Sequence, residues 1–296
     1  MMVPIVVHEY AHDPVRLPDG ARAVKRRGRQ RTRIGRHMRR RLLALGLGCV
    51  VGVASCGPHD TDQPHEPQLV LAAVSLSEAL KDAGTAYTGE TGTFVRFNFA
   101  ASNVLARQVR EGAAADVFVS ADEHQIDGLE RDGLIDGVTR VALLKNELAV
   151  VVREGWSGRL TDARDLVSPG VRRIAVGDPS GVPAGVYARE YLARTGLWEP
   201  LASRLVPSVS VRAALAAVDE GHADAAIVYS TDVRIATRAR LAFVISGPHA
   251  PRIVYPAAVL ARSRQPAAAR KLLRWLHGPA AAAIFRRHGF VPLSDS

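Results

Sequence analysis

Short aliphatic runs rich in β-branched residues alternate with amphipathic stretches through most of the chain. Gln68–Val74 predicts a buried parallel strand and Leu76–Tyr87 an amphipathic helix. The unit recurs as Phe94–Phe99 with Val104–Arg110, and as Asp116–Val119 with Glu123–Arg131. Further along, Leu148–Val152, Ile174–Val176 and Ala225–Tyr229 read as strands, and Gly185–Thr195 and Val211–Glu220 as helices. Strands alternating with helices predict an α/β fold whose mostly parallel sheets are flanked by helices. The last third adds strands at Leu241–Ile245 and Arg252–Leu260, then helices at Pro266–Leu276 and Ala280–Arg287. If these elements return to the first half, the chain crosses twice between two lobes and a cleft lies at the hinge. No stretch repeats at a fixed period, which argues against a solenoid.

The first quarter has a different pattern. From Met38, three arginines precede an apolar run from Leu42 to Ala54 and then Val53-Ala54-Ser55-Cys56. A basic segment, a short apolar segment and small residues before a cut site predict a secretory signal, too short for a comfortable membrane span. The expected boundaries are an upstream or non-native leader at 1–37, a signal peptide at 38–55 and a polar, proline-containing tether at 56–67, with Met38 as the start. Val53–Cys56 resembles the lipobox of bacterial lipoproteins, which implies that Cys56 carries a lipid and holds the protein on the outer side of the cell membrane. His8-Glu9-Tyr10-Ala11-His12 has the H-E-x-x-H spacing of zinc proteases. Ile5-Val6-Val7 before it and Asp13-Pro14 after it leave little room for the helix that chemistry needs, so no metal site is expected there.

Charge changes the picture only once it is located. Of 39 Lys and Arg residues twelve fall in 1–55, against three of 29 acidic ones, so the remainder stands at 27 against 26. A nearly neutral body with interspersed signs lacks the footprint of a phosphate-backbone binder, and nucleic acid is not an expected partner. Both cysteines, Cys49 and Cys56, belong to the leader region, so the body has neither disulfide nor thiolate chemistry. His124, His222, His249, His277 and His288 are scattered and lack metal-ligand spacing.

Candidate chemistry therefore falls on the strand-to-helix turns, where open α/β sheets hold ligands beyond the strand ends. Ser75 stands where the first strand hands over to its helix, and Ser102 in the next such turn. Serine is a preferred helix N-cap, so both could simply cap; alternatively two helix N-termini converge on one anion with N–H donors, hydroxyls and positive dipole ends. The stretch Gly177-Asp178-Pro179-Ser180-Gly181-Val182-Pro183-Ala184-Gly185 is a shaped loop with small residues that let backbone approach a ligand. Asp178 has no evident catalytic partner and is read as a turn former. Val211 opens a later helix and Tyr229 ends a later strand, its ring either half-buried core or directed into a cleft.

Together these turns resemble the molybdate-binding proteins of ABC importers. The resemblance is carried in order by Ala73-Val74-Ser75-Leu76, Ser102–Gln108, Ala114–Asp122, Val176–Pro179 with Val182–Ala188, Val211–Leu215 and Ile227-Val228-Tyr229, and by the closing Phe285–Phe290. It implies a two-lobed type II periplasmic-binding-protein fold with the ligand in the cleft, lobe 1 being 68–146 and 250–296 and lobe 2 being 147–249. It implies that Ser75, Ser102 and Tyr229 give hydroxyls and Ala184 and Val211 backbone N–H groups to molybdate, or to tungstate of nearly the same size. No cofactor and no protein-ligated cation are implied. The implied partners are a membrane permease and its ATPases, with a monomer expected. Ala101 and Asn103 depart from relatives richer in serine around Ser102, which affects peripheral contacts.

Three other readings compete. A binder for another oxyanion such as sulfate or phosphate would share the fold. A hydrolytic enzyme would need a serine with histidine and acid, and no G-x-S-x-G surrounds Ser75 or Ser102. An intracellular ligand sensor is disfavoured by the leader and by the lack of DNA-binding helices.

Overall fold

Aliphatic strands buried on both faces set the architecture of this computed structural model, which describes residues 66–293. The leader, the His8–His12 spacing, the signal peptide and Cys56 lie outside those residues. β1 (Gln68–Ala73) is followed by a single 3-10 turn at Val74–Leu76 and by α1 (Ser77–Thr91). That helix stops where Gly92 takes φ 71°, a left-handed conformation that costs glycine nothing. Then come β2 (Val95–Ala100), α2 (Ser102–Arg110), β3 (Val117–Val119) and α3 (Glu123–Arg131). β4 (Val141–Asn146) and β5 (Leu148–Val152) are separated by Glu147 alone. β6 (Ile174–Gly177), α4 (Pro183–Arg194), α5 (Trp198–Leu201), β7 (Leu205–Ser208), α6 (Val211–Asp219), β8 (Ala225–Tyr229) and β9 (Arg240–Val244) follow. β10 (Ile253–Val259), α7 (Pro266–Leu276), α8 (Pro279–Arg287) and β11 (Val291–Pro292) complete the chain.

The strands form two sheets, ordered β11-β4-β10-β3-β1-β2 and β7-β6-β8-β5-β9. Both are mixed. In the first, β1, β2 and β3 pair in parallel, whereas β10 pairs antiparallel with β3 and β4, and β11 antiparallel with β4. In the second, β6, β7 and β8 are parallel and β5 runs against β8 and β9. The chain thus passes from the first sheet to the second at Asn146–Leu148 and returns between β9 and β10. This two-lobed α/β arrangement puts the two passages side by side.

Three strands had no counterpart in the sequence pattern: β4, β7 and β11. β4 merges with β5 into one continuous run, Val141–Val152, that no glycine or proline interrupts. β10 is buried at all seven positions yet contains Pro256, which cannot donate to a neighbouring strand. The ladder with β4 shifts register between Tyr255 and Pro256, a bulge that accommodates the missing N–H and re-aims the side chains beside it.

Candidate functional site

The ends of β1 and β8, the turns after β2 and β3 and the starts of α2, α4 and α6 meet at one small cavity. It is lined by Ala73, Val74, Ser75, Ala101, Ser102, Ala121, Val182, Pro183, Ala184, Val211 and Tyr229 and is nearly filled, with a free volume of about 10 Å³. All five residues singled out as binding candidates, Ser75, Ser102, Ala184, Val211 and Tyr229, are in that lining. Clefts that take drug-sized organic molecules run to roughly 300–1,000 Å³, so the lobes as they stand leave no room for such a ligand.

Neither serine caps its helix. Ser75 lies inside the 3-10 turn after β1, and Ser102 is the first residue of α2 rather than its cap, which is Ala101. Ser102 Oγ instead accepts the N–H of Ala121 at 2.9 Å, a bond between the two strand-to-helix turns of β2 and β3. Ser75 Oγ lies 3.1 Å from the hydroxyl of Tyr255 on β10. Both serines are buried, at 3% and 1% exposure.

Backbone donors complete the ring. The first N–H groups of a helix have no intrahelical acceptor. Among the described residues those of Ser75, Ser102, Ala184 and Val211 have no backbone or side-chain acceptor. Pro183 opens α4 with its φ already set and without an N–H to satisfy, so Ala184 supplies the first free donor of that helix. The helix start is held against the end of β6 by the Gly177–Gly185 contact, where a Cβ on Gly185 would collide with the Gly177 carbonyl. Ser210 caps α6, accepting the Ala213 N–H at 3.1 Å, and so leaves the Val211 N–H at the cavity. Asp178 forms the turn expected of it: its Oδ1 accepts the Ser180 N–H at 2.8 Å and the Ser180 hydroxyl at 2.7 Å.

Tyr229 ends β8 with 1% exposure, and its hydroxyl faces that of Tyr255 but has no partner within hydrogen-bond distance. Burial pushes its phenol well above the ordinary range, so it stays protonated and able to donate. An unpartnered buried hydroxyl costs about 1–3 kcal/mol, which marks it as a group waiting for an acceptor. The cavity lining carries no charged side chain. The nearest cation, Arg212 on α6, is occupied elsewhere: its Nη2 donates to Glu78 Oε2 at 2.6 Å and to the Ser75 carbonyl at 3.2 Å, and its Nε lies 2.9 Å from Asp232 Oδ1.

The structure adds residues that sequence reasoning missed. Tyr255 and Asn146 stand behind Ser75, and Arg212 with Asp232 behind Val211 and Tyr229. Asn146 Nδ2 donates to the hydroxyls of Thr231 at 2.9 Å and Tyr255 at 3.2 Å, while its Oδ1 accepts from Glu147 N–H at 2.8 Å and Ser230 at 3.0 Å. A polar-tipped aromatic inside the aliphatic run of β10 was the one visible signal. Two of the body histidines make local contacts, His288 with Asp82 at 2.8 Å and His277 with the Leu293 carbonyl at 3.1 Å. Among the described residues no group of three metal-ligating side chains converges, and no helix is long and apolar enough to cross a membrane.

A two-lobed α/β protein with a ring of neutral donors in the cleft is a solute-binding protein by architecture. Residues 69–291 match the bacterial extracellular solute-binding proteins, and the chain belongs to that family. The molybdate-binding protein ModA of Escherichia coli is 36% identical over 260 residues, which span 86% of this chain and 99% of that protein. The periplasmic molybdate-binding protein of Azotobacter vinelandii superposes with a TM-score of 0.69 at 25% identity, over 76% of this chain and 98% of that one. The sulfate-binding protein SubI of Mycobacterium tuberculosis superposes with a TM-score of 0.68 at 20% identity, over 77% and 88% of the two chains, and shares the fold.

Proposed function

We propose that this protein captures molybdate, and also tungstate, in the cleft between its lobes and delivers it to the permease and ATPases of an ABC importer. The observation that carries the reading is the convergence of Ser75, Ser102, Ala184, Val211 and Tyr229 on one small uncharged cavity. The relatives named for molybdate binding support the choice of anion.

Neutral groups suit this task. A buried cation would attract many anions at a high desolvation cost. Hydrogen bonds from fixed N–H and O–H groups to a charged ligand contribute roughly 1.5–3 kcal/mol each, and helix N-termini add about 0.3–1 kcal/mol. Three hydroxyls and the N–H groups of Ser75, Ser102, Ala184 and Val211 surround a tetrahedral dianion from several sides. A ring made of donors alone disfavours an oxyanion that carries its own proton, since that O–H would face no acceptor. A fixed ring also measures size, so the smaller sulfate leaves some of these bonds long. Lobe closure over the anion is the state a permease would recognise. Export, and a lipid on Cys56, place the protein on the outer side of the membrane as a monomer.

Calorimetric titration with molybdate, tungstate, sulfate and phosphate tests the reading. Tight binding of molybdate and tungstate alone, lost in a Ser102→Ala, Tyr229→Phe double variant, is the expected result. Sulfate or phosphate binding in their place overturns the cargo but keeps the transport role, and no binding of any of the four removes both.

A further inference from the structure

We propose that Tyr255 and Asn146 form a hydrogen-bond relay that fixes the polarity of Ser75, keeping its hydroxyl a donor toward the cleft and tying that polarity to the hinge. The inference rests on the oxyanion reading above and concerns residues outside the cavity lining.

The direction of the relay follows from its far end. Asn146 Oδ1 faces the backbone N–H of Glu147 at 2.8 Å, so the amide orientation is set by a group that can only donate. Nδ2 is therefore the atom 3.2 Å from the Tyr255 hydroxyl, and it has only hydrogens to give. Tyr255 Oη accepts that bond and keeps one proton to give; of its two other hydroxyl neighbours, Ser75 Oγ at 3.1 Å is within hydrogen-bond distance, whereas the Tyr229 hydroxyl is not, so the proton goes to Ser75. Ser75 Oγ then accepts from Tyr255, and its proton is left for the cavity. The second serine has the same arrangement, since Ser102 Oγ accepts the Ala121 N–H and keeps its proton free. In both cases a donor behind the serine takes up one of its lone pairs and leaves the hydroxyl proton free to point at the ligand.

Two further features fit a relay built for this purpose. Tyr255 is fully buried and sits at the β10 bulge, where the register shift beside Pro256 re-aims its ring toward the cleft. Burial holds the Tyr255 phenol above its ordinary range, so its proton stays available to Ser75. Asn146 is the last residue of β4, at the passage between sheets, and it also bonds Thr231 and Ser230 just beyond β8. The groups on both sides of the hinge thus hold the amide that starts the relay. Tyr255 and Asn146 are positioning residues, acting on the ligand through Ser75.

A double-mutant cycle on the whole protein tests this, with molybdate, tungstate and sulfate as probes and thermal unfolding as the check on folding. Tyr255→Phe removes one oxygen from a packed ring and is expected to weaken molybdate binding about tenfold, the weight of one hydrogen bond. Ser75→Ala is expected to cost at least as much. If Tyr255 acts through Ser75, the double variant binds within about threefold of Ser75→Ala alone, because the second change has nothing left to orient. Asn146→Ala enters the relay one link back, leaves the Tyr255 ring in place, and is expected to weaken binding about threefold in the native background and not at all in Ser75→Ala. Losses that multiply across the cycle, or a Tyr255→Phe variant that binds like the native protein, overturn the relay. If the native protein takes sulfate instead of molybdate, the cargo is wrong and the cycle run with sulfate still decides the relay. A native protein that binds none of the three overturns both.

Discussion

The guanidinium of Arg212, on α6 against the second sheet, donates to the Glu78 carboxylate at 2.6 Å on α1 of the first. The same nitrogen also reaches the carbonyl of Ser75, while Nε sits 2.9 Å from the fully buried Asp232. One side chain therefore bridges the lobes directly beside the cavity, and its charge is neutralised before it can act on a ligand.

That bridge predicts two separable effects. Glu78 is 41% exposed in its side chain, so its pair with Arg212 is worth at most about 1 kcal/mol. Glu78→Gln is expected to weaken molybdate binding about two- to fivefold, with little change in the melting temperature of the ligand-free protein. Arg212→Met strands the Asp232 carboxylate in the interior and is expected to lower stability by about 3–5 kcal/mol in urea denaturation at neutral pH. Equal melting temperatures for Arg212→Met and the native protein would remove the argument.

Asp232 gives a pH dependence of definite sign. Burial pushes its carboxyl up to about 6 from 3.8, against the opposing pull of Arg212 and the Tyr229 N–H. Between those two values the folded protein binds the proton more tightly than the unfolded chain, so this group's contribution is full below about pH 4 and is lost as pH rises through 6. Asp232→Asn has no such titration. Urea denaturation of ligand-free protein from pH 4 to 7 is expected to show the native protein losing stability relative to Asp232→Asn by a few kcal/mol and then levelling. A difference that grows in the other direction means that Arg212 prevails over desolvation.

Much of this arrangement is legible in the sequence because it is local. Ser75 and Ser102 are found by asking where strands hand over to helices, and a loop of glycine and proline that no regular element tolerates marks the turn that holds Ala184. Within that loop Ala184, and likewise Val211 after a strand the pattern does not show and Tyr229 at a strand end where a tyrosine reads equally as core, were singled out by the resemblance. What stays hidden is set by long-range pairing. Ser102 looks like a helix cap, yet its partner is Ala121, and the Ser75 partner Tyr255 lies 180 residues away. Asn146 reaches Tyr255 across 109 residues from a strand concealed in the stretch Val141–Val152, where no glycine or proline marks its end. The antiparallel entry of β5 and β10 into their sheets is likewise a matter of chain return, which periodicity does not encode.

Gly185 is required by a close approach, not by a turn. Its backbone is in a regular helix, but an added Cβ would overlap the Gly177 carbonyl at the end of β6. Gly185→Ala must push α4 away from the strand and with it the Ala184 N–H. Overpacking of this kind costs about 1–3 kcal/mol. The expected result is a lower urea midpoint together with at least tenfold weaker molybdate binding, since the displaced donor belongs to the ring. Gly181→Ala is the control, because its nearest neighbour is the flexible Asn103 amide at 3.0 Å, which can yield.

Tyr229→Phe separates binding from stability. In most buried positions, deleting a hydroxyl destabilises because a hydrogen bond is lost. Here the hydroxyl faces the Tyr255 hydroxyl without a bond within hydrogen-bond distance, so the deletion removes a desolvation cost of about 1–3 kcal/mol and leaves the ring packed 5.7 Å from Tyr255. The ligand-free variant is therefore expected to melt at the native temperature or a few degrees above it. Its affinity for molybdate is expected to fall by about ten- to a hundredfold, the weight of one hydrogen bond to a charged ligand. Thermal unfolding with and without molybdate reads both effects in one experiment: the variant begins at or above the native protein and gains less from the ligand. A variant that melts lower without ligand and gains as much from it has lost a structural contact, and Tyr229 is then core.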